Sequence, residues 1–83
     1  MSSARTASCL FCGRTASLRS ITASVQLDCP ECGSYEVTVG AISLLRLDAR
    51  TKAIVLAEIR RQLDSGVERP QITLDVINEL KAR

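Results

Sequence analysis

The chain has 83 residues, of which 46 % are hydrophobic, yet it carries one Phe, one Tyr and no Trp. That is the length of a single small domain with a core of Leu, Ile, Val and Ala, a size at which a metal, a disulfide or a partner subunit usually supplements the buried area. Charged residues make up 24 % and the formal net charge is +2, which excludes a disordered composition and leaves a global electrostatic attraction to nucleic acid little force.

Residues 1–8 hold one Arg and no apolar run, unlike a secretory signal. No stretch approaches the roughly 20 apolar residues of a membrane span. A cytoplasmic chain is therefore expected, in a reducing compartment where cysteines more often bind metal than form disulfides. Two cysteine pairs, at Cys9/Cys12 and Cys29/Cys32, frame the first half. Between them, Ser17 to Ile21 is a candidate strand, and Thr22 to Leu27 alternates loosely as a strand leading into Cys29. Tyr35 to Val39 alternates strictly and predicts another strand.

After Gly40 the pattern turns helical. Ala41 to Leu47 predicts a short helix with Ile42, Leu45 and Leu44 inward. Asp48 is placed to cap a longer helix from about Ala49 to Asp64, stopped by Gly66. Ala53, Leu56, Ile59 and Leu63 form its expected inward stripe, widened by Ile54 and Ala57. Pro70 bars further helix, and Thr73 can cap a last one from Leu74 to about Ala82, with Leu74, Val76, Ile77 and Leu80 inward. Asp75 and Glu79 towards its start and middle, with Lys81 and Arg83 at its end, suit the helix dipole.

The cysteines are spaced Cys-x2-Cys, sixteen residues, Cys-x2-Cys, the pattern of a paired-knuckle zinc site. Two intervening residues let one tight turn aim both sulfurs at a single ion. Gly13 and Gly33 follow the pairs, at a position that often needs the positive φ only glycine adopts freely. An all-cysteine set in a chain without histidine closes the metal to water and substrate, so Cys9, Cys12, Cys29 and Cys32 are expected to bind one structural Zn²⁺ that contributes to folding. Four bound thiolates remove four units of charge and the ion returns two, so the formal +2 falls to about zero.

Cys9-Leu10-Phe11-Cys12-Gly13 and Cys29-Pro30-Glu31-Cys32-Gly33 resemble the CxxCG and CPxCG knuckles of a zinc ribbon, over about residues 7–40. More narrowly, residues 29–38 followed by helices are similar to small ribbon modules of bacterial and phage-borne proteins of uncertain role. Rubredoxin-like iron sites share the knuckles, but with a longer separation and an aromatic-rich core; a redox CxxC pair normally sits at a helix N-terminus in a βαβ setting. The expected fold class is α+β: an N-terminal tetracysteine zinc ribbon with a small antiparallel sheet over residues 1–40, then two or three α-helices over 41–83, packed together as one unit.

With no histidine there is no Ser-His or Cys-His pair, and no glycine-rich phosphate loop is present, so neither catalysis nor a small-molecule substrate is expected. Leu10 and Phe11, at the first knuckle, either form an exposed apolar contact or pack against a helix of the second half. Arg46, Arg50, Lys52, Arg60 and Arg61, with Arg5, Arg14 and Arg19 in the ribbon, are candidates for phosphate contact. Asp48, Glu58, Asp64 and Glu68 interleave with them as on any solvated face, and stacking aromatics are nearly absent. Ala53-Ile54-Val55-Leu56-Ala57 is apolar around a whole helical circumference, which makes Ile54 and Val55 candidates for a subunit interface. The expected function is a non-enzymatic protein–protein interaction module, with a protein partner or a homodimer. A nucleic-acid-binding or transcription-regulating ribbon is the second reading. A phage or mobile-element protein that binds and inhibits a host defence complex is the third.

Overall fold

The computed structural model describes residues 5–82. Four antiparallel strands come first: β1 (Arg5–Ser8), β2 (Thr15–Ile21), β3 (Ser24–Cys29) and β4 (Gly33–Thr38). Helices α1 (Val39–Leu47) and α2 (Ala49–Asp64) follow, then a two-residue strand β5 (Gln71–Ile72) and helix α3 (Leu74–Lys81). The five strands form one sheet in chain order, antiparallel except for β4 and β5. A parallel neighbour needs a crossover, and α1 with α2 supply it. The sheet thus takes a strand from beyond residue 40, and the fold is a small α+β unit.

Alternation places the two sheet faces. Leu27 lies opposite Tyr35 and Val25 opposite Val37 on one face. Leu27, Tyr35 and Val37 there join Ala41 and Leu45 of α1, Val55 and Ile59 of α2, Ile72 of β5 and Ile77 of α3, all fully buried. The other face is polar and knit by cross-strand hydrogen bonds. Ser24 Oγ and Gln26 Nε2 donate to the Glu36 carboxylate at 3.1 and 3.0 Å, and Ser34 Oγ donates to Asp28 at 2.6 Å. One buried face and one wet face is how an antiparallel sheet covered on one side is stabilised.

Several local expectations shift. Thr22 and Ala23 form the turn of the β2–β3 hairpin, because Ile21 pairs with Ser24. Val39 begins α1 rather than ending a strand, with its N–H held by the Ala23 carbonyl at 3.0 Å. In α1 it is Ala41 and Leu45 that are buried, with Ile42 and Leu44 half-buried. Asp48 caps α2 as its sequence position suggests, accepting the Arg50 N–H at 3.0 Å and the Thr51 hydroxyl at 2.7 Å. Gly66 follows the helix with φ +102°. Thr73 likewise caps α3 by accepting the Val76 N–H at 3.2 Å. Arg83, expected at the end of α3, lies outside the described residues.

The larger correction is the rotation of α2. Thr51, Val55 and Ile59 are its buried stripe, flanked by half-buried Leu56 and Leu63, whereas Ala53 and Ala57 are exposed. Val55, a candidate interface residue in sequence, is a core residue with no exposed surface. In α3, Ile77 is buried and Val76 and Leu80 are half-buried, but Leu74 stays 43 % exposed. Among the described residues no helix is long and apolar enough to cross a membrane.

Candidate metal centre

The first knuckle is the turn between β1 and β2. It closes on itself through Cys9 N–H to the Arg14 carbonyl at 2.8 Å and Gly13 N–H to the Cys9 carbonyl at 3.1 Å. The second is the turn of the β3–β4 hairpin, where Cys29 pairs with Gly33. Gly13 and Gly33 have φ of +76° and +97°, the left-handed conformation that lets each chain turn back beneath its sulfurs. The β2–β3 hairpin brings the two knuckles together.

All four Sγ atoms lie within 4.8 Å of one another, with Cys12 and Cys29 3.5 Å apart. Cys9, Cys29 and Cys32 are buried, and Cys12 faces solvent. Burial opposes ionisation of Cys9, but the Cys12 N–H, the Tyr35 hydroxyl and the Phe11 N–H outweigh it and lower its thiol to about 6. Burial and the adjoining thiols push Cys32 up. At Cys12 the Arg14 N–H favours the thiolate, yet desolvation by neighbouring protein and the thiols of Cys29 and Cys9 raise it overall. Cys9 ionises readily while Cys12 and Cys32 resist a second negative charge, a conflict that a bound cation resolves. Soft donors, four in number and convergent, fit a tetrahedral metal ion.

Tyr35 of β4 reaches this cluster, a contact that sequence reasoning missed. Its hydroxyl lies 3.1 Å from Cys9 Sγ and accepts the Leu10 N–H at 3.2 Å. Burial, then the Cys9 thiol, raise its ionisation well above the usual phenol range, so the hydroxyl keeps its proton, and toward a Cys9 thiolate, which can only accept, it is the donor. Phe11 packs its ring against Tyr35, edge to face, with centroids 5.0 Å apart. The knuckle aromatic is thus half-buried on β4 rather than on a helix, and Leu10 is half-buried beside it.

The second knuckle is tied to the helical half. A Cβ on Gly33 would come within 2.6 Å of Leu63 Cδ1 on α2. Arg69, in the loop before β5, donates to the carbonyls of Leu27 and Tyr35 at 3.3 Å each and to Asp28 at 2.9 Å. Its position in a polar loop carries no local signal of this role.

The candidate interaction residues scatter. Arg50 and Ile54 line a groove with Asp48, Thr51, Leu80 and Lys81. Arg60 and Arg61 border a separate open face with Ala53, Leu56, Ala57 and Asp64. Arg46 is exposed at the end of α1. Arg61 is paired with Glu58 at 2.5 Å and Arg14 with Glu31 at 3.7 Å across the two knuckles. Comparisons with protein-family models, with curated proteins and with solved structures give no match.

Proposed function

We propose that the chain holds one structural Zn²⁺ through Cys9, Cys12, Cys29 and Cys32 and works as a small non-enzymatic protein-interaction module on a zinc-ribbon-like scaffold. The observation that carries this reading is the convergence of four thiols within 4.8 Å of one another, three of them buried. Thiolates about 2.3 Å from a tetrahedral zinc sit about 3.8 Å apart, and the 3.5 Å between Cys12 and Cys29 is close to that edge. Four sulfurs complete the coordination, so the ion supplies stability and leaves no position for a substrate. With no histidine in the chain, no nucleophile–base pair of the usual kind competes with that reading.

Support for interaction comes from the helical half. Leu47 is 84 % exposed at the end of α1, and Ala53 and Ala57 are exposed on the outward side of α2, beside half-buried Leu56. A second copy of the chain is the partner of first choice, since a two-fold dimer needs only one such patch, met by the same patch on its copy. The phosphate-binding reading comes second, because Arg14, Arg61 and Arg69 are each engaged by a carboxylate.

The test is sedimentation over a wide protein concentration range, at low and high salt. Self-association that survives salt and disappears in Ala57→Glu supports the interaction reading. A monomer at every concentration, with steeply salt-dependent retention on mixed DNA or RNA, favours nucleic acid instead.

A further inference from the structure

We infer that Tyr35 is the positioning residue of the metal centre: its buried hydroxyl fastens the first knuckle to β4 and hydrogen-bonds the Cys9 sulfur, thereby governing how tightly and how long the site holds its ion. The inference rests on the metal-binding reading above and goes beyond the four ligands to the group that arranges them.

Tyr35 is fully buried and is the largest such side chain among the described residues. It lies on the strand that leaves the second knuckle, yet its hydroxyl contacts Cys9 and Leu10 in the first. The backbone bonds of the first knuckle, from Cys9 N–H to Arg14 and from Gly13 N–H to Cys9, close that turn on itself. The Tyr35 hydroxyl does something different. It spends its lone pair on the Leu10 N–H and its proton on the Cys9 sulfur, so one oxygen ties the turn's backbone and a ligand to the neighbouring hairpin. Phe11 packs edge to face against the ring, at 69° between planes, and Tyr35 has no exposed surface.

A donor to a ligating thiolate draws charge from the sulfur and fixes its direction. Removing such an outer partner from a metal site typically costs about 10–100-fold in affinity. Tyr35→Phe is the informative substitution, because it keeps the ring, its burial and the Phe11 contact while removing only the hydroxyl.

The experiment loads the full chain with Zn²⁺ and follows its transfer to a chromogenic chelator, then repeats the loading with Co²⁺. Tyr35→Phe is expected to bind Zn²⁺ about 10–100-fold more weakly and release it faster, and to move the thiolate-to-Co²⁺ charge-transfer band to lower energy, since an unbonded thiolate is a better electron donor. Val37→Ala, which loosens the same strand without touching a sulfur, should leave the band in place. The inference is overturned if Tyr35→Phe leaves both affinity and band unchanged, or if Val37→Ala shifts the band equally. Should Tyr35→Phe fail to fold, the wild-type chain loaded with ¹¹³Cd decides: a slowly exchanging Tyr35 hydroxyl proton coupled to the metal supports the assignment, and its absence overturns it. A wild-type chain that takes up neither Zn²⁺ nor Co²⁺ would instead overturn the metal-binding reading itself.

Discussion

Replacing Gly33 with alanine tests whether the second knuckle is locked against α2 as well as bent. Gly33 has φ +97°, and an added Cβ would come within 2.6 Å of Leu63 Cδ1. Gly13 occupies the equivalent place in the first knuckle with φ +76°, but nothing lies within 4 Å of its would-be Cβ. Alanine at either position must take a left-handed conformation, at about 1–2 kcal/mol. Only at Gly33 must Leu63 also move. Because the clashing atom is the end of a flexible side chain, that adds the cost of an off-rotamer shift, about 0.5–1.5 kcal/mol. Gly33→Ala should therefore lose about 1.5–3.5 kcal/mol and Gly13→Ala about 1–2, a gap near 1 kcal/mol. The assay is denaturant or thermal unfolding at one fixed, saturating metal concentration, so that ligand linkage is common to all variants. In a domain of this size the gap corresponds to about 4–8 °C in Tm. Combining Gly33→Ala with Leu63→Ala should recover most of the gap as a favourable coupling in the double-mutant cycle. Equal losses at the two glycines, or strict additivity with Leu63→Ala, would refute the packing argument.

Metal removal should unfold the N-terminal hairpins, because the roughly 10–16 kcal/mol that structural zinc contributes in small peptides matches or exceeds the stability of a domain this short; metal analysis should give one ion per chain, and a well-folded chelated protein or a folded Cys29→Ser would overturn the site. Arg69→Ala removes hydrogen bonds to two carbonyls and to Asp28, with an expected loss of about 1.5–3 kcal/mol that Arg69→Lys does not restore, since an ammonium lacks the planar fork; urea unfolding of both variants checks it. The Thr51 hydroxyl and the Arg50 N–H hold the Asp48 carboxyl below its ordinary range, so its capping contribution is fully present above the usual aspartate value and lost as pH falls through the lower folded one. The stability difference between the wild type and Asp48→Ala should accordingly stay flat from about pH 8 to about pH 5, where thiolates still hold a metal, and metal-saturated unfolding curves whose difference changes with pH across that window would refute the capping account. Ile59→Ala, in the buried stripe of α2, should cost about 2–5 kcal/mol, whereas Ala57→Glu on its exposed side should stay within about 0.5 kcal/mol in the monomer; reversed magnitudes would mean that α2 is rotated otherwise.

What the chain states locally, it states clearly. The two knuckles, the glycines that bend them, and the caps at Asp48 and Thr73 depend on neighbours within a few residues, and the structure agrees with each; the alternation along β3 and β4 is legible too, but not its ends, since Thr22 and Ala23 form a turn and Val39 opens α1. Strands β1 (RTAS) and β5 (QI) have no such signal. They are short and mostly polar, and exist because longer neighbours offer them a ladder. Ala53 to Ala57 could not reveal its inward side, since five consecutive apolar residues give a helix no preferred face; contact with α1, α3 and β4 chose Val55 and Ile59 and left Ala53 and Ala57 outside. The outer partners of the cysteine cluster were equally hidden. Tyr35 and Arg69 are an ordinary strand tyrosine and an ordinary loop arginine until the hairpins fold and bring a hydroxyl to Cys9 and a guanidinium to two carbonyls. The sequence by itself determined the four sulfurs, because their convergence needs only tight turns and one hairpin. The tertiary structure alone decided what surrounds them and which helix face stays open, because those follow from packing between residues far apart in the chain.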